Sequence, residues 1–324
     1  MSNVAVVGAG TMGHALALVY ALGGHRVHLT DNNTATLERA PALIQAARAT
    51  LAETGEIDSS WSAERVADAI ACLPTLESAV DSADVIVEAI IEQPEAKRTL
   101  YAQLDSLLPD GAIIASNTSY LDIFPLVPER RLARTVIVHW YTPPYLVDLV
   151  DIAPGPKTDP AVVEQMRTMV EALGKVPIGF RTLVTGYVAN RIQSAIAAEV
   201  YRLLDEGLVT PEDVDKSVIH GLALRMPIVA VLAKADFTGL PLQQDALRNR
   251  TYTPPPARDH SETLDRLVAE GRTGVMAGRG FFDWGNRPAH ELFQERDRKL
   301  IALKQALRTI GTIQGSDRGR SPPR

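Results

Sequence analysis

The first 31 residues place a strand, a glycine-rich turn and a helix in direct succession, and this restricts the possible folds more than any other feature. Residues 4–7 are small or β-branched, and glycine follows at positions 8, 10 and 13, in the spacing GxGxxG. The first glycine permits a tight turn, the second leaves room for a ligand beside the backbone, and the third lets helix and strand pack closely. N–H groups at the start of the helix attract an anion. The pattern predicts that a dinucleotide pyrophosphate binds to Gly8, Gly10, Thr11, Met12 and Gly13.

Asp31 supports this interpretation, because it ends the next strand pattern at residues 26–30. A carboxylate there accepts hydrogen bonds from the adenosine ribose hydroxyls and repels a 2'-phosphate. The next residues, Asn32 and Asn33, are uncharged. We therefore predict NAD rather than NADP as the cofactor. The alternative is an aspartate that only forms a turn.

Strand and helix patterns alternate up to about residue 180, which predicts an α/β fold with a doubly wound, Rossmann-type parallel sheet. Beyond residue 181 the apolar spacing is helical. We predict a first domain at 1–182, a smaller all-helical domain at 183–309 and a disordered tail at 310–324. The expected strands are residues 4–7, 26–30, 85–89, 112–115, 135–138 and 146–152.

Composition excludes several classes of protein. The net charge of −6 argues against a nucleic-acid partner, which requires a basic surface. Apolar runs are too short to predict a membrane span, and a strand at residue 4 leaves no room for a signal peptide. The single cysteine, Cys72, excludes an internal disulfide and lies among apolar neighbours typical of a core. We expect a cytoplasmic protein without a metal site.

His139 is the first candidate for chemistry, because it ends an apolar strand pattern and precedes a proline-containing loop. Ligands bind at this edge of open α/β sheets, and a histidine can accept the proton of a hydroxyl. Considered alone, it is more often a packed core residue. Asp151 favours the functional interpretation, since a carboxylate in an apolar strand needs a partner. Asp148 is an alternative partner for His139. Because residues three apart on a strand point to opposite faces, only one of Asp148 and Asp151 can face His139.

Two further segments carry polar groups suited to a ligand. Residues 116–119, Ser-Asn-Thr-Ser, follow the strand at 112–115, so Asn117 and Ser119 are candidates to contact nicotinamide or substrate. The same residues could instead form a turn and a helix cap. Asn190 lies on the first helix of the second domain and is a candidate substrate contact or an exposed helical residue.

The ordered motifs resemble the 3-hydroxyacyl-CoA dehydrogenase family from residue 3 to about 305. The resemblance implies that His139 is the catalytic base, that Asp151 occupies the place of its orienting glutamate, and that Ser119 and Asn190 contact the substrate. It also implies a homodimer formed through the helical domain, although apolar faces there could equally be that domain's core. The resemblance also places Glu92 and Lys97 beside the cofactor. The motifs are residues 8–13, 87–92, 116–119, 139–143, 186–191, 206–216 and 278–284.

The departures from the family concern the reaction and its substrate. Thr142 replaces an asparagine and Asp151 replaces a glutamate whose side chain is longer by roughly 1.5 Å. Relatives that bind coenzyme A tend to carry lysines on the helical arm after the second strand, whereas no lysine precedes Lys97 here. This arm, residues 34–71, contains three arginines and a larger number of acidic residues. The phosphates of coenzyme A would therefore find little net attraction there. We therefore predict a small substrate without coenzyme A, and the chain resembles more nearly those relatives in the family that oxidise gulonate, carnitine or a pyridine carboxylic acid.

Three functions remain open from the sequence. The leading hypothesis is an NAD-dependent dehydrogenase that interconverts a small hydroxy acid and its oxo form. The second is a short-chain 3-hydroxyacyl-CoA dehydrogenase, in which arginines replace the missing lysines. The third is an NAD(H)-binding or structural protein with little catalysis, which the changes at Thr142 and Asp151 would permit.

Overall fold

The computed structural model describes residues 1–313, which form two compact units, Met1–Ala189 and a second that starts at Asn190. The division predicted from the sequence lies at 182/183. Of the predicted tail, residue 310 ends the last helix, and residues 314–324 lie outside the described part of the chain.

The first unit is built on one eight-stranded sheet. Its strand order is β3-β2-β1-β4-β5-β6-β7-β8, and neighbouring strands are parallel except for the antiparallel pair β6–β7. The predicted doubly wound sheet is therefore confirmed, with the last two strands, β7 and β8, running opposite to the other six. The strands are Asn3–Val7 (β1), Arg26–Thr30 (β2), Ile70–Cys72 (β3), Val85–Glu88 (β4), Ile113–Ser116 (β5), Thr135–Trp140 (β6), Leu149–Pro154 (β7) and Val176–Gly179 (β8).

The central strands form the core because they are covered on both faces. Every residue of β4, β5 and β6 is buried, and most are β-branched or small apolar residues, as expected for a parallel sheet between two helical layers. Strong side-chain caps at Asn33, Ser62 and Asp159 fix where three of the helices begin. The helices are Gly13–Leu22 (α1), Thr34–Glu53 (α2), Ala63–Ala69 (α3), Leu76–Val80 (α4), Pro94–Leu107 (α5) and Pro160–Ala172 (α6).

The two edge strands, β3 and β8, were not predicted from the sequence. β3 has three residues and continues directly from a helix, so its apolar residues extended the helical pattern. β8 contains a proline and a glycine, which are unfavourable signals for a strand. The expectation for Cys72 was wrong, because this residue is exposed on the short edge strand β3.

The second unit is helical, as predicted, and its described part buries few side chains. Leu267 and Ile301 are the buried apolar residues among residues 190–313, whereas many large apolar side chains there are exposed. The helices are Val188–Asp205 (α7), Pro211–Ser217 (α8), Met226–Val229 (α9), Leu232–Thr238 (α10), Leu240–Arg248 (α11), Glu262–Ala269 (α12) and Ala289–Ile310 (α13), and α7 begins two residues before the unit does. Within residues 1–313, no single helix meets the length and hydropathy needed to cross a membrane. One pair bent by 101°, Pro211–Val229 with Leu232–Thr238, meets them together.

Candidate active site

The glycine turn after β1 has the geometry that its spacing predicts. Gly8 has φ +100°, and a Cβ there would lie 2.5 Å from the carbonyl oxygen of Ala89. A Cβ on Gly13 would lie 1.6 Å from the carbonyl oxygen of Gly8, so the start of α1 rests directly on the turn. No side chain but hydrogen is compatible with either position.

Gly10 differs from its neighbours, because a Cβ there would meet no described atom within 4 Å. The space in front of Gly10 is therefore open, at the start of a helix whose N–H groups attract anions. This open cradle fits a dinucleotide pyrophosphate. Thr11 and Met12 complete the turn before α1 begins.

Asp31 lies where β2 ends and is tied to the same turn. Its Oδ2 accepts a hydrogen bond from the backbone N–H of Ala9 at 2.7 Å, and its Oδ1 accepts one from Asn33 at 2.8 Å. The carboxylate thus supports the glycine turn directly, a role that the sequence analysis did not assign. A contact with ribose stays a prediction.

His139 and Asp151 face each other across the antiparallel pair of strands. They are direct register partners on β6 and β7, both are almost fully buried, and Nδ1 of His139 lies 3.4 Å from Oδ2 of Asp151. Asp148, the alternative partner, instead pairs with Lys175 at 3.4 Å. The reversed strand β7 therefore produces the histidine–carboxylate pair that the sequence analysis expected.

Two tyrosines enclose the imidazole, and the sequence analysis named neither. Tyr187 stacks on His139 with ring centroids 4.5 Å apart, and Tyr141 meets it edge-on at 4.7 Å. Tyr187 has φ +47°, a left-handed conformation that residues other than glycine rarely adopt. Burial and the charges of Asp151 and Glu92 raise the pKa of Tyr187, so its hydroxyl stays protonated and donates to the carbonyl of Thr118 at 2.8 Å.

Ser119 lies at the other nitrogen of the histidine. Its hydroxyl is 3.2 Å from Nε2 of His139, so Ser119, His139 and Asp151 form one continuous row of polar groups. The loop that carries Ser119 is held by Glu92, whose Oε1 accepts the backbone N–H groups of Ser119 at 2.8 Å and Tyr120 at 2.9 Å. The hydroxyl of Thr118 donates to the same oxygen at 2.6 Å.

The pKa of Glu92 is lowered. Burial alone would raise this pKa, but the hydrogen bonds from Thr118, Tyr120 and Ser119 and the positive charge of Lys97 together outweigh burial. Glu92 is therefore a carboxylate at neutral pH, and its negative charge organises the loop before Ser119.

A second buried cluster surrounds Glu88 at the end of β4. Its Oε1 lies 2.6 Å from Nζ of Lys97, and its Oε2 accepts hydroxyl groups from Ser116 at 2.5 Å and Tyr101 at 2.8 Å. Burial and the charge of Glu88 raise the pKa of Tyr101, so this hydroxyl remains a donor. Lys97 also lies 3.3 Å from Glu92, and its side chain is 1% exposed. Its ammonium group thus links the cluster to the Ser119 loop.

The remaining candidates occupy different places. Asn117 accepts the backbone N–H of Trp140 with its Oδ1 at 2.8 Å, which joins the ends of β5 and β6. The hydroxyl of Thr142 lies 3.0 Å from the sulfur of Met12 and connects the loop after β6 to the glycine turn. Asn190 is the first residue of the second unit, on α7, and its contact with substrate stays a prediction. Among the described residues, no group of three or more His, Cys, Asp and Glu could hold a metal ion.

A glycine turn after the first strand, an acidic residue after the second and a histidine–carboxylate pair at the same sheet edge are the features of a dinucleotide-dependent oxidoreductase. Two family models match the chain. The 3-hydroxyacyl-CoA dehydrogenase NAD-binding domain matches residues 3–182, and the C-terminal domain of that family matches residues 186–284. The chain belongs to the 3-hydroxyacyl-CoA dehydrogenase family, and its cofactor is NAD.

Two dehydrogenases and one solved structure are similar to nearly the whole chain. The 5-formyl-3-hydroxy-2-methylpyridine 4-carboxylate 5-dehydrogenase of Mesorhizobium japonicum is 29% identical over 94% of this chain and 98% of its own length. The L-carnitine dehydrogenase of Nocardiopsis dassonvillei is 30% identical over 98% of this chain and 94% of its own. A crystal structure described as a 5-formyl-3-hydroxy-2-methylpyridine 4-carboxylic acid 5-dehydrogenase, an NAD⁺-dependent dismutase, has a TM-score of 0.85 and 27% identity, covering 95% and 99% of the two chains.

Proposed function

We propose that this protein is an NAD-dependent oxidoreductase that interconverts a hydroxyl and a carbonyl group on a small hydroxy acid, with His139 as general base. The observation that carries the proposal is the row Ser119–His139–Asp151 at the sheet edge that also bears the glycine turn. Hydride transfer needs a dinucleotide site and a proton acceptor at one place. The chain supplies residues of both kinds at that edge.

The roles of the protein groups follow from their contacts. Bound NAD supplies the acceptor for the hydride that leaves the substrate carbon. Nε2 of His139 accepts the proton of the substrate hydroxyl, while the carboxylate of Asp151 beside Nδ1 stabilises the positive charge that forms. The hydroxyl of Ser119 lies at Nε2 and donates a hydrogen bond to the same substrate oxygen. In the reverse direction His139 returns the proton to the carbonyl oxygen.

The helical arm favours a substrate without coenzyme A. Its three arginines bond within the arm: Arg39 to the carbonyl of Ala35, Arg48 to Gln45 and the carbonyl of Trp61, and Arg65 to Ser60. The guanidinium of Arg65 also lies 4.0 Å above the ring of Trp61. Cations held by local partners are poor receptors for nucleotide phosphates. The two named dehydrogenases act on a pyridine carboxylate and on carnitine, which supports a small substrate.

A short-chain 3-hydroxyacyl-CoA is the second candidate substrate, and the description of the matched family favours it. In that case the arm arginines would have to exchange their local partners for phosphate groups. The reaction at His139 would be the same, so substrate assays distinguish the two candidates.

The test measures NADH formation and NADH oxidation with five substrates in parallel: acetoacetyl-CoA, 3-hydroxybutyryl-CoA, gulonate, carnitine and aromatic hydroxymethyl acids. Turnover of free acids alone supports the proposal, and efficient turnover of the CoA esters contradicts the small-acid substrate. His139→Ala should abolish turnover and keep the NADH affinity, measured by fluorescence. A fully active variant would show that another group is the base. Tight NADH binding without turnover of any compound would favour the weakly catalytic alternative.

We also propose that the protein is a homodimer formed through its helical unit. Val188, Ile192 and Ile196 recur at four-residue spacing along α7 and are exposed, and large apolar groups are exposed elsewhere in this unit. An apolar stripe of this kind is stable when a partner covers it. Sedimentation velocity should show a dimer for the wild type and a monomer for Ile192→Glu/Ile196→Glu. A monomeric wild type contradicts the proposal. The cytoplasmic location stays a prediction.

A further inference from the structure

One carboxylate oxygen of Asp151 has two partners. The hydroxyl of Tyr141 donates to Oδ2 at 2.6 Å, and Nδ1 of His139 approaches the same Oδ2 at 3.4 Å. Asp151 lies opposite His139 in the strand register, and Tyr141 follows His139 by two residues, just beyond the end of β6. The tyrosine hydroxyl and the imidazole therefore share one acceptor oxygen and the negative charge on it.

The two distances show which partner holds the carboxylate more strongly. A hydroxyl bonded to a carboxylate is typically 2.5–2.7 Å away, whereas an N–H donor bonds at about 2.7–3.2 Å. The tyrosine contact has the length of a strong bond, and the histidine contact is longer than an ordinary one. A carboxylate whose charge is already shared stabilises a neighbouring imidazolium less.

We infer that Tyr141 is a positioning residue that limits how strongly Asp151 supports the positive form of His139. The inference rests on the proposed function only in making His139 the base whose basicity matters for the rate. A general base works best when it is neutral at the working pH and still able to accept a proton. The Tyr141 hydroxyl donates to Oδ2 of Asp151 and so withdraws part of the negative charge that this oxygen presents to Nδ1 of His139.

The shorter carboxylate and the tyrosine hydroxyl form one unit. An aspartate side chain is roughly 1.5 Å shorter than a glutamate side chain. At position 151 it is this shorter side chain that accepts the Tyr141 hydroxyl at 2.6 Å. A glutamate at position 151 would carry its carboxylate further from the strand, where the Tyr141 hydroxyl already lies 2.6 Å from Oδ2. The hydroxyl at position 141 therefore suits the shorter aspartate and would crowd a longer side chain at position 151.

The other groups around His139 do not contact the carboxylate of Asp151 in the hydrogen bonds described above. Ser119 lies at Nε2 and Tyr187 stacks on the ring, but the Tyr187 hydroxyl donates to the carbonyl of Thr118. The carboxylate of Glu92 accepts the backbone N–H of Ser119. Tyr187 therefore provides a matched control, because it contacts the same imidazole through its ring and donates its hydroxyl elsewhere.

The first experiment compares Tyr141→Phe with the wild type in the pH dependence of kcat/KM for alcohol oxidation. Without the Tyr141 hydroxyl, Asp151 stabilises the imidazolium more fully. The midpoint of the acid limb should then move upward by about half a unit to one unit, the size expected for one hydrogen bond. Tyr187→Phe should leave this midpoint in place, whatever its effect on the rate.

The second experiment needs no substrate. The ¹⁵N imidazole resonances are titrated in the free protein, and the His139 signal is identified by its absence in His139→Ala. Tyr141→Phe should move the titration midpoint upward, and Tyr141→3-fluorotyrosine, whose hydroxyl is a stronger donor, should move it downward. The fluorinated variant keeps the hydroxyl and the ring, so it applies even if the phenylalanine variant does not fold.

The third experiment tests this crowding at position 151. Asp151→Glu should lower kcat strongly, and Asp151→Glu/Tyr141→Phe should recover part of it, because the hydroxyl that crowds the longer side chain is gone. If kcat of the double variant falls by the product of the factors measured for the two single variants, the inference is contradicted.

The outcomes separate the inference from the proposed function. If Tyr141→Phe lowers kcat while both midpoints stay unchanged, Tyr141 only packs against His139 and the inference is wrong. If the imidazole midpoints move as expected but no hydroxy acid is turned over, Tyr141 has the positioning role and the proposed function fails.

Discussion

Oε1 of Glu92 accepts the backbone N–H of Ser119 at 2.8 Å, so the hydroxyl beside the candidate base is positioned by a carboxylate on a different loop. The other oxygen of Glu92 lies 3.3 Å from the buried ammonium group of Lys97. The ionised side chain of Glu92 thus connects the Ser119 loop with the buried cluster around Glu88 at the end of β4. The shape of the site depends on the charge of Glu92.

Glu92→Gln should therefore change how stability depends on pH. The pKa of Glu92 is below its ordinary value of 4.5. A carboxyl group whose pKa is lower in the folded state stabilises that state fully when the pH is above the ordinary pKa. This stabilisation is lost as the pH falls through the pKa of the folded state. Urea unfolding at pH 7 should show Glu92→Gln to be less stable than the wild type, and this difference should shrink between pH 5 and the acid limit of the native state.

Glu95→Gln is the control for this measurement, because Glu95 is exposed on the neighbouring helix α5. Its stability should follow the wild type across the same pH range. A stability difference between Glu92→Gln and the wild type that stays constant with pH would show that the ionised form of Glu92 is not what holds the loop.

The glycines of the turn should separate folding from cofactor binding. Gly13→Ala places a Cβ 1.6 Å from the backbone of Gly8, and because α1 must move, we expect a loss of about 3 kcal/mol in the free energy of unfolding. Gly10→Ala meets no described atom within 4 Å, so it should fold with nearly wild-type stability and lose at least tenfold in NADH affinity. Thermal melting and NADH fluorescence titration of both variants check this. Wild-type affinity in Gly10→Ala would contradict the placement of the pyrophosphate.

Asp31→Asn tests the choice between NAD and NADP. The amide oxygen can still accept the N–H of Ala9, at the loss of the bond that Oδ1 accepts from Asn33, and the substitution removes the charge that repels a 2'-phosphate. The ratio of NADPH to NADH affinity should rise by roughly tenfold, which is about 1.4 kcal/mol. Asn32→Ala, one residue further, should leave the ratio unchanged. An unchanged ratio in Asp31→Asn would show that this carboxylate serves only the turn.

The sequence predicted the parts of the site that depend on local patterns. The glycine spacing identified the turn, and a carboxylate within an apolar strand was enough to pair Asp151 with His139, because an isolated buried charge is unfavourable. The alternation of side chains along a strand showed only that one of Asp151 and Asp148 could face His139, and the register of β6 and β7 pairs His139 with Asp151.

The residues that were missed depend on contacts between distant elements. Tyr187 reaches His139 through a loop with an unusual backbone angle, and aromatic residues of this kind give no periodic signal. Tyr141 was read as part of a proline-containing loop, since nothing in the sequence shows that its hydroxyl reaches β7. Glu92 and Lys97 were placed beside the cofactor by resemblance, whereas the structure also shows which loop and which carboxylates they hold.

The buried pair of Lys97 and Glu88 leads to a prediction about stability. Both side chains are almost fully buried and 2.6 Å apart. Lys97→Met leaves the Glu88 carboxylate without its cation, so unfolding should become easier by about 3–5 kcal/mol. Adding Glu88→Gln should recover part of this loss, since the neutral amide can still accept hydrogen bonds from Ser116 and Tyr101 without a counter-charge.

Urea unfolding of the wild type, the two single variants and the double variant forms the cycle that measures the coupling. Lys157→Met is the matched control, because Lys157 pairs with Glu129 on the surface and such pairs contribute less than about 1 kcal/mol. If the two single losses simply add in the double variant, the charges of Lys97 and Glu88 do not stabilise each other. In that case the hydroxyl groups of Ser116 and Tyr101, rather than the ammonium group, keep the Glu88 carboxylate stable beneath the site.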